Sequence, residues 1–91
     1  MIETHHLVIS GRVQRVRFRN FMVESARALG ITGWVRNLAD GTVEAVIAGP
    51  PAALAQMIEC TRRGPAHAIV KEIRIAKADG RFERFEMLPT V

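Results

Sequence analysis

The chain contains no tyrosine, one tryptophan, four phenylalanines and a single cysteine. Each scarcity closes off a class of function. One thiol, Cys60, allows no internal disulfide, and such cysteine usage suits a reducing compartment. Cys60 follows Met57 in an apolar helical pattern, which favours a packed thiol over a nucleophile. A cysteine phosphatase would also place an arginine six positions later, where this chain has Ala66. RNA-recognition modules stack bases on exposed aromatics of their central strands and carry a Lys/Arg-Gly-Phe/Tyr pattern. That pattern is missing, so the aromatics are expected in the core and a nucleic-acid partner is disfavoured. Neither lysine follows a glycine, which removes a Walker loop. His5 and His6 are adjacent and point to opposite faces of a strand, and His67 stands alone, so no metal site is expected. Ser10 and Ser25 have no neighbours that suggest a serine triad. No apolar run approaches membrane-spanning length, and MIETHHLVIS is too polar for a secretory leader. A soluble cytoplasmic protein of one domain, residues 1–91, is the expectation.

Positive charge is abundant instead. The net charge is +4, and eleven of the thirteen cationic residues are arginine. This balance favours anionic partners, and the planar guanidinium fork suits phosphate or carboxylate gripped at two points. The arginines concentrate in GRVQRVRFR, Gly11 to Arg19, with four in nine residues. A helix is expected to begin at Phe18, where aligned peptide dipoles already place partial positive charge. Acidic side chains belong there, yet the first carboxylate is Glu24. A strand that ends in a tight loop and feeds a helix converges backbone N–H groups on one point and adds the helix dipole to them. An anion of multiple charge would make the local crowding of cations favourable. Surface arginines at a strand end are the plainer reading, and charge alone does not separate the two.

Periodicity organises the rest. HHLVI (5–9) predicts a first strand ending at Gly11, with a loop through Val16. Phe18, Phe21, Met22, Ser25, Ala26 and Leu29 share a helical face, and Gly30 stops that helix. ITGWVRN (31–37) and TVEAVIA (42–48) predict an antiparallel hairpin across Asp40-Gly41. Pro51 opens a second helix whose stripe is Leu54, Met57, Ile58 and Thr61, ended by Gly64-Pro65. A strand from Ile69 to Ala76 follows, with Ile69, Ile73 and Ile75 on one face. Phe82, Phe85 and Met87 anchor a short last strand. The order β-α-β-β-α-β plus that strand predicts an α+β, ferredoxin-like sandwich, with a mostly antiparallel sheet and both helices on one face.

Gly11-Arg12-Val13-Gln14, Val16, Phe18-Arg19, GWVRN (33–37) and Asp40-Gly41-Thr42-Val43-Glu44 together resemble the acylphosphatase family. The likeness continues through Gly49, Gly64-Pro65 and the Phe85 strand, and covers essentially the whole chain. It implies the same ferredoxin-like fold and hydrolysis of a carboxyl phosphate to a carboxylate and inorganic phosphate. By motif position, Arg19 matches the arginine that binds the phosphoryl group. Asn37 matches the asparagine that orients the attacking water. The loop Val13, Gln14, Arg15, Val16, Arg17 and Phe18 matches the backbone N–H cradle. The resemblance implies no metal, cofactor or covalent intermediate; a small acyl phosphate is the implied partner, with inorganic phosphate or sulfate as competing anions, and a monomer is expected. One departure stands out. The family loop reads VQGVxFR, and here Arg15 replaces its glycine. Either the loop keeps its geometry under strain or the cradle is distorted, so the alternative is a weakened or silent relative that binds anions or nucleic acid through the arginine-rich loop.

Overall fold

The computed structural model describes all residues from Met1 to Val91. Its elements run β1 (Glu3–Arg12), α1 (Phe18–Leu29), β2 (Thr32–Asn37), β3 (Val43–Gly49), α2 (Pro51–Arg63), β4 (Ile69–Lys77) and β5 (Phe85–Met87). They build one five-stranded sheet in the order β4-β1-β3-β2-β5. Every neighbouring pair is antiparallel except β2 with β5. This is the ferredoxin-like sandwich expected from pattern, and no helix is long and apolar enough to cross a membrane.

Strand alternation decides what faces the helices. Leu7 and Ile9 of β1, Val35 of β2, Val43, Ala45 and Ile47 of β3 and Phe85 of β5 are fully buried on one side. Phe18, Met22 and Ala26 of α1, with Leu54 and Met57 of α2, close the core from above. Burying side chains of this size contributes about 1.5–3 kcal/mol each, which is why these stripes rather than helix propensity hold the layer together. Thr61 is also buried within α2, and its hydroxyl donates to the Met57 carbonyl at 2.8 Å.

Two expectations are corrected. Ile73 and Ile75 share a face, paired across from the inward Ile9 and Leu7, but Ile69 leaves it, because a bulge at Ser10 and Gly11 shifts the β1–β4 register. One extra residue inverts the alternation beyond it. Ile73 packs against the core, Val70 takes the inward place on the far side of the bulge, and Ile69 is left 58% exposed. The same bulge lets β1 continue through Gly11 to Arg12. Trp34 does not join the core either. Its neighbours Gly33 and Val35 are the inward pair, so Trp34 lies half-buried on the open face of the sheet.

That open face carries a compact polar cluster. Glu44 on β3 accepts from Arg36 Nε and from His6 Nε2, both at 2.7 Å, and the Arg36 guanidinium lies 4.9 Å from the centre of the Trp34 ring. Partial burial would raise the Glu44 carboxyl pKa, but hydrogen bonds from His6 and Arg36 outweigh it and hold the value below the ordinary 4.5. A carboxylate depressed on folding stabilises the native state above its unfolded pKa and loses that contribution as pH falls through the folded one. The urea midpoint is therefore expected to fall below about pH 4.5, and Glu44→Gln to flatten this acid limb. An identical acid limb in the variant would assign the effect to other carboxylates.

Candidate active site

The segment between β1 and α1 alternates anchors and cations. Val13 and Phe18 are fully buried, and Val16 packs against the core from its edge. Arg15 and Arg17, between those anchors, are exposed. Both take left-handed backbone angles, each with φ of 63°. A β-carbon in that region costs about 1–2 kcal/mol. The loop thus keeps at Arg15 the kind of backbone that a glycine adopts freely. Of the two outcomes left open by sequence, the backbone at Arg15 fits the one that carries strain.

Loop shape leaves donors free. From Gln14 to Arg17 no backbone N–H is given to a protein acceptor in a turn, loop or cap. Arg17 is the N-cap of α1 and makes no side-chain cap, and the first turn of the helix has no acidic residue. Unpaired amides in succession at a helix start form an anion-binding concavity. The loop is held in this form partly by Gln14, whose side-chain Nε2 donates to the Leu38 and Thr42 carbonyls, each at 2.8 Å. These contacts tie it to the β2–β3 turn, in which Asp40 accepts from the Thr42 amide at 3.0 Å.

A small cavity of about 260 Å³ opens here, lined by Val13, Arg15, Arg17, Phe18, Arg19, Asn20 and Asn37. The two residues singled out by motif, Arg19 on α1 and Asn37 at the end of β2, share it. Gln14 and Val16 are not among the lining residues; the first is turned to the hairpin and the second to the core. Arg19 is half-buried and donates through Nη1 to the Leu88 carbonyl at 3.3 Å. Leu88 N–H bonds the Val35 carbonyl at 2.8 Å, and Val91 N–H the Asn37 carbonyl at 3.1 Å. The final residues therefore brace both candidates.

No carboxylate lines the cavity. Every ion pair in the molecule lies elsewhere, and Arg12, Arg15, Arg17 and Arg19 have no acidic partner. No three His, Cys, Asp or Glu side chains converge where a metal could sit. Cys60 is half-buried on α2, away from the cavity, and its Sγ is 3.8 Å from Arg63. A roomier cleft of about 590 Å³ lies at the other end of the sheet, among Ile2, Thr4, Thr32, Ala48, Arg81 and Phe82. It has one cation and none of the free loop amides, so the smaller cavity has the stronger chemistry for an anion. Asn20, the Gln14 side-chain clamp and the Leu88 brace were not foreseen. Only Asn20 had a local signal, its place beside Arg19 in the first turn of the helix.

Comparison with known proteins identifies the family. The family model described as Acylphosphatase matches residues 5–87. The chain is 46% identical over 84 residues to an acylphosphatase of Albidiferax ferrireducens, covering 92% of this chain and 91% of that one. It is 52% identical over 79 residues to an acylphosphatase of Azorhizobium caulinodans, covering 87% and 85%. The fold superposes on the crystal structure of acylphosphatase from Bacillus subtilis with a TM-score of 0.91 and 31% identity, over 97% of this chain and 99% of the other. An acylphosphatase from Coxiella burnetii gives 0.92 and 31%, over 96% and 93%. With a family match across nearly all of its strands and helices, and relatives matched over most of both lengths, the chain belongs to the acylphosphatase family of hydrolases.

Proposed function

We propose that the cavity between the β1–α1 loop and the end of β2 holds the phosphoryl group of an acyl phosphate while water displaces the carboxylate. Arg19 grips two phosphoryl oxygens with its planar fork. The amides from Gln14 to Arg17, with the start of α1, take the rest of the charge. Asn37 orients a water for attack on phosphorus opposite the acyl oxygen. The new P–O bond forms from that water, the bond to the acyl oxygen breaks, and the water's protons pass to phosphate and solvent. A carboxylate leaves readily without a strong general acid, and phosphoryl transfer asks mainly for positioning and charge stabilisation. A single-domain monomer is sufficient for this chemistry.

The observation that carries the reading is the shared cavity of Arg19, Asn37 and a loop of unpaired amides. Benzoyl phosphate is the direct probe. Steady hydrolysis is expected, with inorganic phosphate or sulfate raising KM while leaving kcat unchanged, because they compete for the same cradle. Absence of turnover, or inhibition that lowers kcat alone, would count against the assignment. The four unpaired arginines also favour a second reading, a silent anion-binding module. That reading expects nucleic-acid binding that weakens steeply with salt and depends on several arginines at once.

A further inference from the structure

We propose that Arg15 and Arg17 make this site selective for acyl phosphates whose acyl chain carries a second anionic group, a carboxylate or a phosphate. The inference rests on the hydrolase reading of the same cavity and adds a substrate class to it.

The charge count motivates it. A phosphoryl dianion is matched by Arg19, the free loop amides and the start of α1. Arg15 and Arg17 are then surplus cations on the same cavity, both exposed and both without an acidic partner. Glycine at position 15 would serve the backbone angle with less strain. What arginine adds there is a cation on a residue that lines the cavity. The buried anchors Val13 and Phe18, with Val16, hold the loop so that its two cationic residues remain in solvent. With a volume of about 260 Å³, the cavity is larger than a phosphoryl group and leaves room beside it for the first part of an acyl chain. An acyl chain that extends from the phosphoryl group runs past Arg15 and Arg17, which line the same space and are exposed. An anion a few carbons from the anhydride would meet them, whereas a neutral acyl group would gain nothing. Exposed ion pairs are weak and screened by salt, so the preference should be moderate and salt-sensitive.

The test compares kcat/KM for acetyl phosphate, succinyl phosphate (terminal carboxylate) and an acyl phosphate of similar length ending in a phosphate ester. At low ionic strength the anionic substrates are expected to be favoured about five- to twentyfold, the range two exposed pairs can supply. The ratio should shrink in the Arg15→Gly, Arg17→Gln double variant and on adding salt to the unaltered protein. Arg62→Gln, which removes a cation from α2, should leave it in place. The two anionic substrates separate a carboxylate from a phosphate preference. Acetyl phosphate hydrolysed as well as both anionic substrates overturns this inference alone. Failure to hydrolyse any of the three overturns the hydrolase reading with it. Should the double variant fold poorly, the salt dependence still decides, since a preference that persists at high salt is not made by exposed arginines.

Discussion

Arg19→Ala is expected to lower kcat on benzoyl phosphate by on the order of 10²–10³, the loss typical when one donor to a developing oxyanion is removed. The proposed role sets this size. Phosphoryl transfer leaves little covalent work for the protein, so a missing charge at the phosphoryl oxygens is felt in the transition state. Arg19→Lys should remain well below the parent, because an ammonium keeps the charge but not the two-point grip. Asn37→Ala should cost a comparable factor, since an unoriented water must find its own line of attack. Folding is not the confounder. The Arg19 side chain makes one hydrogen bond, to the Leu88 carbonyl, worth about 1 kcal/mol. Both variants should therefore keep the far-UV spectrum and unfold cooperatively in urea. Arg12→Ala is the comparison, since Arg12 is exposed at the end of β1 and does not line the cavity. Steady-state kinetics on the parent and the four variants would decide. Near-parental turnover in both Arg19→Ala and Asn37→Ala would remove the assignment, and a parent without turnover whose anion binding is weakened equally by Arg12→Ala and Arg19→Ala would support the anion-binding alternative.

Gly33→Ala is expected to be the most damaging single methyl group, with a loss of about 3–5 kcal/mol. Gly33 has φ of 135°, a region that side-chain-bearing residues rarely enter. An added β-carbon would overlap the Val46 carbonyl oxygen and lie 2.8 Å from its carbonyl carbon. Those atoms belong to β3, which pairs with β1 on one side and β2 on the other, so they cannot retreat without opening the sheet. Gly30 offers the contrast. It also has positive φ, at 71°, but an added β-carbon there meets nothing within 4 Å. Gly30→Ala should therefore cost about 1 kcal/mol, from backbone strain alone. Total stability for a chain of this size is on the order of 5–15 kcal/mol, so the two substitutions should separate clearly in a urea titration. Similar midpoints for both would mean that β3 yields more easily than its double pairing suggests.

The fold was legible because each core stripe repeats within one element. Leu54, Met57 and Thr61 announce their helix face without knowledge of the sheet, and Val43, Ala45 and Ile47 do the same for β3. Two strand features escaped for one reason. Burial of Ile69 and of Trp34 depends on register, and the β1–β4 bulge that sets the first is a property of two strands together. Motif position placed Arg19 and Asn37 beside one another, although helix period and strand alternation give neither residue a site. The clamps around them were not legible. Gln14 reaches carbonyls of Leu38 and Thr42, and Arg19 reaches Leu88 across most of the chain. A backbone carbonyl accepts whatever its residue type, so position 88 has no mark in the sequence to betray the contact.

The brace formed by residues 88–91 has a practical corollary. Because Val91 is bonded to the very residue proposed to steer the water, anything joined after it emerges close to Asn37 and the cavity it lines. Glu3 pairs with Gly49, at the opposite end of the sheet from the Ile9–Val43 pairing near the loop. An affinity handle or fluorescent fusion attached ahead of β1 should leave turnover undisturbed, whereas one appended behind β5 would tug on both residues at once.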